Sequence, residues 1–136
     1  MGAVYKNNLV LMIMAKKLIS GNIIQRRNIA GKVENNASHG KDISDFVEAL
    51  EKCLDDKDIW VRISCAEALI YHYLNKKLDR MVERFLEHED VEVRKLAATK
   101  LAEYYKKNMM DEEIRKMIGN EKIRRYVQWV VGTKKG

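Results

Sequence analysis

A chain of 136 residues that is 46% hydrophobic and 34% charged has the balance of a folded domain and not of a disordered segment, and it can bury a core without metal or disulfide help. Proline is absent, so nothing interrupts long helices and little favours a β fold. The net charge of +6 is uneven: residues 1–40 carry six cations against one carboxylate and residues 41–75 four against eight, so anionic partners are permitted at the ends of the chain without being required.

Taken in chain order, the apolar spacing predicts helix pairs at roughly 7–19 and 22–35, 42–54 and 58–74, 78–87 and 90–107, and 110–118 and 120–131. In the first of these, Leu9 to Met14 is apolar on every face, and the apolar run, which extends to Ala15, is followed at once by Lys16 and Lys17. The run is far below the roughly 20 residues that span a bilayer, and no small-residue cleavage site follows it. Neither a membrane span nor a secretory signal is expected, and the location expected is the cytoplasm. One stripe of this helix packs on its neighbour, which leaves an apolar patch for self-association or for a partner. In the second pair Ile43, Phe46, Val47, Leu50 and Leu54 share one face, and in the third Leu78, Met81, Val82, Phe85 and Leu86 do the same. Cys53 and Cys65 fall inside apolar-periodic segments and read as buried free thiols, the less favoured alternative being a disulfide within the hairpin.

The pairs are copies of one unit. Asp58 to Leu69 recurs as Asp90 to Leu101, and in more diverged form as Asn22 to Val33 and Asn120 to Val131. An independent test lies in the preceding segments, where Leu50 and Leu54 align with Met14 and Leu18, Val82 and Leu86, and Ile114 and Ile118. Asn22, Asp58, Asp90 and Asn120 each stand where a second helix begins, as N-caps whose short side chains accept from otherwise unpaired N–H groups. Ala30, Ala66 and Ala98 recur four residues after the repeated Arg26, Arg62 and Arg94, where a small side chain lets helices approach. Gln128 departs from this rule after Arg124.

The run Leu54, Asp56, Asp58, Val61, Arg62, Cys65, Ala68, Leu69 resembles the HEAT-repeat signature, of the kind shared with PBS-lyase-type repeats. The resemblance covers roughly residues 7–132. It implies an all-α fold, a right-handed α-solenoid of about four helical hairpins within a single domain, 1–136, with repeats at about 7–36, 41–75, 77–108 and 109–132. In HEAT families an Asp six residues before the repeated Arg often bonds along the stack. Here only Asp56 satisfies that spacing, the equivalents being Ser20, His88 and Ile118.

Candidate chemistry is sparse. His88-Glu89 is similar to the iron-binding His-Glu pairs of deoxyhypusine hydroxylases, but the aligned positions hold Asp56-Lys57, Ser20-Gly21 and Ile118-Gly119, so one pair cannot complete a shell and reads as a solvated loop. His72, between Tyr71 and Tyr73, reads as half-buried or as a cation at a helix end, and His39 as exposed. The glycines form no phosphate-cradling motif, the cysteine spacing suits no zinc site, and the methionines read as gap-fillers. No metal, cofactor or catalytic residue is expected; bilin-lyase-like or hydroxylase-like activity rests on fold analogy alone.

The position after the repeated Arg holds Arg27, Ile63, Lys95 and Arg125. In a HEAT stack the second helices line the concave surface, so these cations, with Trp129 and Tyr71, are the candidate partner-binding residues. The function expected is a non-catalytic adaptor that holds a protein partner, possible homo-oligomerisation through the first helix included. The alternative is a nucleic-acid-binding module using the basic stripe, as HEAT-like DNA glycosylases bind duplex DNA, although the catalytic Asp of those longer enzymes has no counterpart here.

Overall fold

A computed structural model describes residues 2–132, with side chains from Leu9 onward. Among the described residues every regular element is helical: α1 (Gly2–Ser20), α2 (Ile23–Ser38), α3 (Val47–Lys52), α4 (Ile59–Asn75), α5 (Asp79–Glu83), α6 (Val91–Lys107), α7 (Asp111–Ile118) and α8 (Arg124–Val131). The chain divides into two compact units, one ending at Asn75 and the other beginning at Lys76, which is where the second sequence copy gives way to the third.

In the first unit α1 and α2 form a hairpin around Gly21, whose N–H donates to the Lys17 carbonyl at 2.9 Å. A Cβ at Gly21 would lie 2.5 Å from that same oxygen, so the tight turn requires glycine. Asn22 closes the start of α2 by a capping box: its side chain accepts from the Gln25 N–H at 2.8 Å, and the Gln25 side chain accepts from the Asn22 N–H at 3.0 Å. α1 packs against α3, and α2 packs along α4. Leu18, Leu50, Val61, Leu69 and Ile70 are fully buried.

The second unit sets α6 against α5, α7 and α8. Val82, Val93, Leu101, Ile123 and Val127 are fully buried. Equivalent sequence positions make equivalent bonds in the two units. Tyr73 donates to Glu51 at 2.6 Å, and Tyr105, 32 residues on, donates to Asp79 at 2.7 Å and reaches Glu83, the counterpart of Glu51, at 3.2 Å. Burial and then the two carboxylates push the Tyr105 phenol above the ordinary tyrosine range. The turns that leave α4 and α6 each place a non-glycine residue in the left-handed region, Lys77 (φ 61°) and Met109 (φ 56°), again 32 residues apart.

Several expectations are corrected. The helix expected over 42–54 is broken into a 3-10 turn (Ser44–Phe46), α3, and a second 3-10 turn (Cys53–Asp55), and that over 78–87 into α5 and a 3-10 turn (Arg84–Glu87). In the former the Asp42 side chain accepts from the Ser44 N–H, closing a tight turn where a regular first turn was expected. α1 begins before residue 7, and α2 continues to Ser38, which shortens the connector assigned to His39. In the fourth copy the helix starts at Arg124 and its N-cap is Ile123, not Asn120. Asn120 instead accepts from the Lys122 N–H at 3.0 Å and from the Ile123 and Arg124 N–H groups through its carbonyl, so it organises the turn before α8. Leu78 and Met81 lie on the exposed side of their segment, because the short helical pieces turn only Val82, Phe85 and Leu86 inward. Of the methionines, Met12 and Met109 are exposed and Met117 is buried. His72 is buried, its ring edge-on to Tyr73 at 5.4 Å, rather than half-exposed at a helix end.

Candidate functional site

The site is built from the starts of the second helices. Arg26 and Arg27 sit in the first turn and a half of α2, and their side chains point to the loop that precedes α4. Arg26 donates through Nε and Nη2 to the two Asp56 carboxylate oxygens at 2.9 and 3.2 Å, and through Nη1 to the Gly21 carbonyl at 2.9 Å. Arg27 donates through Nε and Nη2 to Asp58 at 3.0 and 2.7 Å. Both are fork-to-fork pairs, the geometry that suits guanidinium and carboxylate. Asp58 also accepts from the Val61 N–H at 3.0 Å, so it does serve as a cap for α4. Asp90 caps α6 through the Glu92 N–H at 2.9 Å.

The repeated arginines turn back onto backbone carbonyls of their own hairpins. Arg62 donates to the carbonyls of Asp56 and Lys57 at 2.7 and 3.2 Å, Arg94 to those of His88 and Glu89 at 2.6 and 3.1 Å, and Arg124 to that of Ile118 at 2.7 Å. Each ties the end of the first helical segment of its hairpin to the second. His88 takes part in the same construction and is only partly exposed, not a solvated loop residue. Its Nδ1 accepts from the Asp90 N–H at 3.0 Å, as the Asp56 carboxylate accepts from the Asp58 N–H at 2.9 Å. That bond places the ring proton on Nε2.

The cations expected to form a stripe belong to both units. Arg27 belongs to the first unit and is engaged by Asp58; Lys95 and Arg125 belong to the second unit, on α6 and α8, which pack together. Lys95 is exposed, and the Arg125 guanidinium lies 5.9 Å from the Tyr126 ring centroid. Trp129 is 78% exposed. It shares a cleft of about 540 Å³ with Lys106, Lys107, Glu103 and Val130. Tyr71 is half-buried on α4, in the other unit from Trp129.

Among the described residues no cluster of three or more His, Cys, Asp or Glu side chains is placed to hold a metal ion, and no helix is long and apolar enough to cross a membrane. No known protein family, curated protein or solved structure matches the chain. Cys53 and Cys65 are free buried thiols; hydrogen bonding to Cys53 and then burial push the Cys65 thiol up, while the Cys53 thiol donates to the Leu18 carbonyl at 3.3 Å.

Trp60 is absent from the candidates drawn from sequence and is 61% exposed in the second residue of α4. Its aligned neighbour Ile24 is 66% exposed at the same place in α2. The signal was present in the pattern: Trp60 precedes Val61 and so lies off the Val61, Cys65, Leu69 face that enters the core.

The ion pairs carry a pH signature. Arg27 holds the Asp58 carboxyl below its ordinary range, and Lys122, 2.9 Å from Glu87, does the same there. A folded-state pKa lower than the unfolded value, about 4 for these groups, gives stability that is present at neutral pH and lost as pH falls through the depressed values. Urea midpoints measured from pH 7 down to pH 2 are expected to fall less steeply in Asp58→Asn than in the wild-type protein. An unchanged slope would show that Asp58 is no more acidic folded than unfolded.

Proposed function

We propose that the four hairpins stack as one right-handed HEAT-like solenoid and that the protein is a non-catalytic adaptor for a protein partner. Support for the stack comes from the matched arginine and tyrosine bonds at equivalent positions and from the pairing of second helices within each unit, α2 with α4 and α6 with α8. The observation that carries the functional reading is the exposure of both tryptophans, Trp60 and Trp129, which are the side chains that most often anchor protein interfaces. The cleft beside Trp129, with Lys106 and Lys107 on its wall, favours a segment that offers an apolar side chain next to a carboxylate. The nucleic-acid reading is weakened because Arg27 is bound by Asp58 and Lys122 by Glu87.

Gel-shift titration with single-stranded and duplex DNA and RNA at two salt concentrations separates the two readings. Phosphate binding weakens steeply with salt, by a slope close to the number of phosphates neutralised. No salt-steep complex is expected from the wild-type protein. In cross-linking from cells, one defined partner should be captured and then lost in Trp60→Ala or Trp129→Ala, while Lys95→Ala/Arg125→Ala retains it. A salt-steep complex that disappears in Lys95→Ala/Arg125→Ala would instead establish the nucleic-acid function.

A further inference from the structure

The surface between α1 and α3 has a charge polarity that no single-chain role requires. A groove of about 630 Å³ runs between these helices, with an apolar floor that includes Leu9, Met12 and Ile13. All three are exposed. The two helices run in the same direction, because their ends meet the same groups: Arg26 bonds both Gly21, just past the end of α1, and Asp56, just past the turn that ends α3, while Cys53 reaches the Leu18 carbonyl. Among the described residues that line the groove, the two acidic ones, Asp45 and Glu48, therefore lie towards the helix starts, and the two basic ones, Lys16 and Lys52, towards the helix ends. All four are exposed, and none forms a salt bridge with another described residue.

We infer that this groove is occupied by a second copy of the same chain, related by a two-fold axis that passes near Ile13 and Ala49. A two-fold contact brings one patch against itself in the reversed direction, so it is favourable only if the patch is complementary to its own reverse. This one is. Reversal sets the Lys16 and Lys52 end of one copy on the Asp45 and Glu48 end of the other, twice over, while the Met12 and Ile13 side chains of both copies close over each other and leave water. The apolar centre supplies the affinity and the four charges fix the antiparallel register, since the parallel arrangement places like charges face to face. The inference does not depend on which partner the tryptophans hold.

Light scattering and sedimentation equilibrium on the full chain provide the test. The wild-type protein is expected at twice the mass of the chain. Asp45→Lys/Glu48→Lys makes the groove basic throughout, and Lys16→Glu/Lys52→Glu makes it acidic throughout. Each variant alone is expected to be monomeric, its dimer dissociation constant raised about 100-fold or more by like-charge contact. An equimolar mixture of the two should regain the dimer mass, and Met12→Asp should abolish it without lowering helix content. A wild-type monomer overturns the inference. So does a dimer that survives Met12→Asp and both charge reversals, because its interface then lies elsewhere. Two monomeric charge variants that fail to pair when mixed overturn it as well.

Discussion

Replacing Leu69 or Leu101 by alanine is expected to cost about 2–5 kcal/mol of folding stability. Both leucines have no exposed surface. They occupy the same position of their copies, 32 residues apart, one on α4 and one on α6. On their own helices they are flanked by small buried residues, Cys65, Ala66 and Ala68 for Leu69 and Ala97, Ala98 and Ala102 for Leu101. In a close-packed interior a deleted isobutyl group is only partly refilled by its surroundings, so a cavity contribution adds to the lost transfer energy. Denaturant unfolding with an unchanged m-value measures it. A loss below about half a kcal/mol at both positions would mean that neither residue is a core contact. Because the two sites lie in different compact units, a biphasic transition in one variant would also show that the units unfold separately.

What the sequence made legible follows from which interactions are periodic. The faces of α4 and α6 were readable because burial on a helix recurs every three to four residues, and Val61, Cys65, Leu69 and Tyr73 are buried together with Val93, Ala97, Leu101 and Tyr105. Three of the four expected caps were readable because Asn22, Asp58 and Asp90 have short acceptors at a helix start. Asn120 failed for a reason that composition hides: Ile123 is fully buried, and the 3-10-like turn from Asn120 to Ile123 that precedes the helix leaves the asparagine three residues too early. The first helix of the second copy lost its continuity, and that of the third lost both its continuity and Leu78 and Met81 from its buried face, since hydrophobic spacing over ten residues does not separate an α-helix from α and 3-10 turns in series. The candidate site was the least legible part. Aligning Arg27 with Lys95 and Arg125 identified a common position but could not show what stands opposite each one, and opposite Arg27 stands Asp58. The same loop supplies Asp56 to Arg26, so two carboxylates of the acidic segment are counterparts for the arginines of the preceding copy.

That internal pairing sets the second large effect. Asp56→Ala is expected to destabilise the protein by about 1.5–3 kcal/mol, the range for hydrogen bonds to charged groups. The carboxylate accepts both donors of the Arg26 fork and the Asp58 N–H, and its side chain is only 10% exposed, against 17% for Arg26. Its loss leaves a partly desolvated guanidinium with the Gly21 carbonyl, and it frees the loop whose carbonyl holds Arg62. One residue thus links the α1–α2 turn, the end of the segment that contains α3, and the start of α4. A double-mutant cycle with Arg26→Ala isolates the pair, and a coupling of about 1–3 kcal/mol is expected. Partial burial should preserve most of that coupling in molar salt, in contrast to Lys122 and Glu87, which are each more than half exposed and should uncouple. A coupling below about 0.5 kcal/mol at low salt would mean that the fork-to-fork geometry contributes no more than an ordinary surface pair. The first two copies would then be held together chiefly by the packing of α1 against α3 and of α2 along α4.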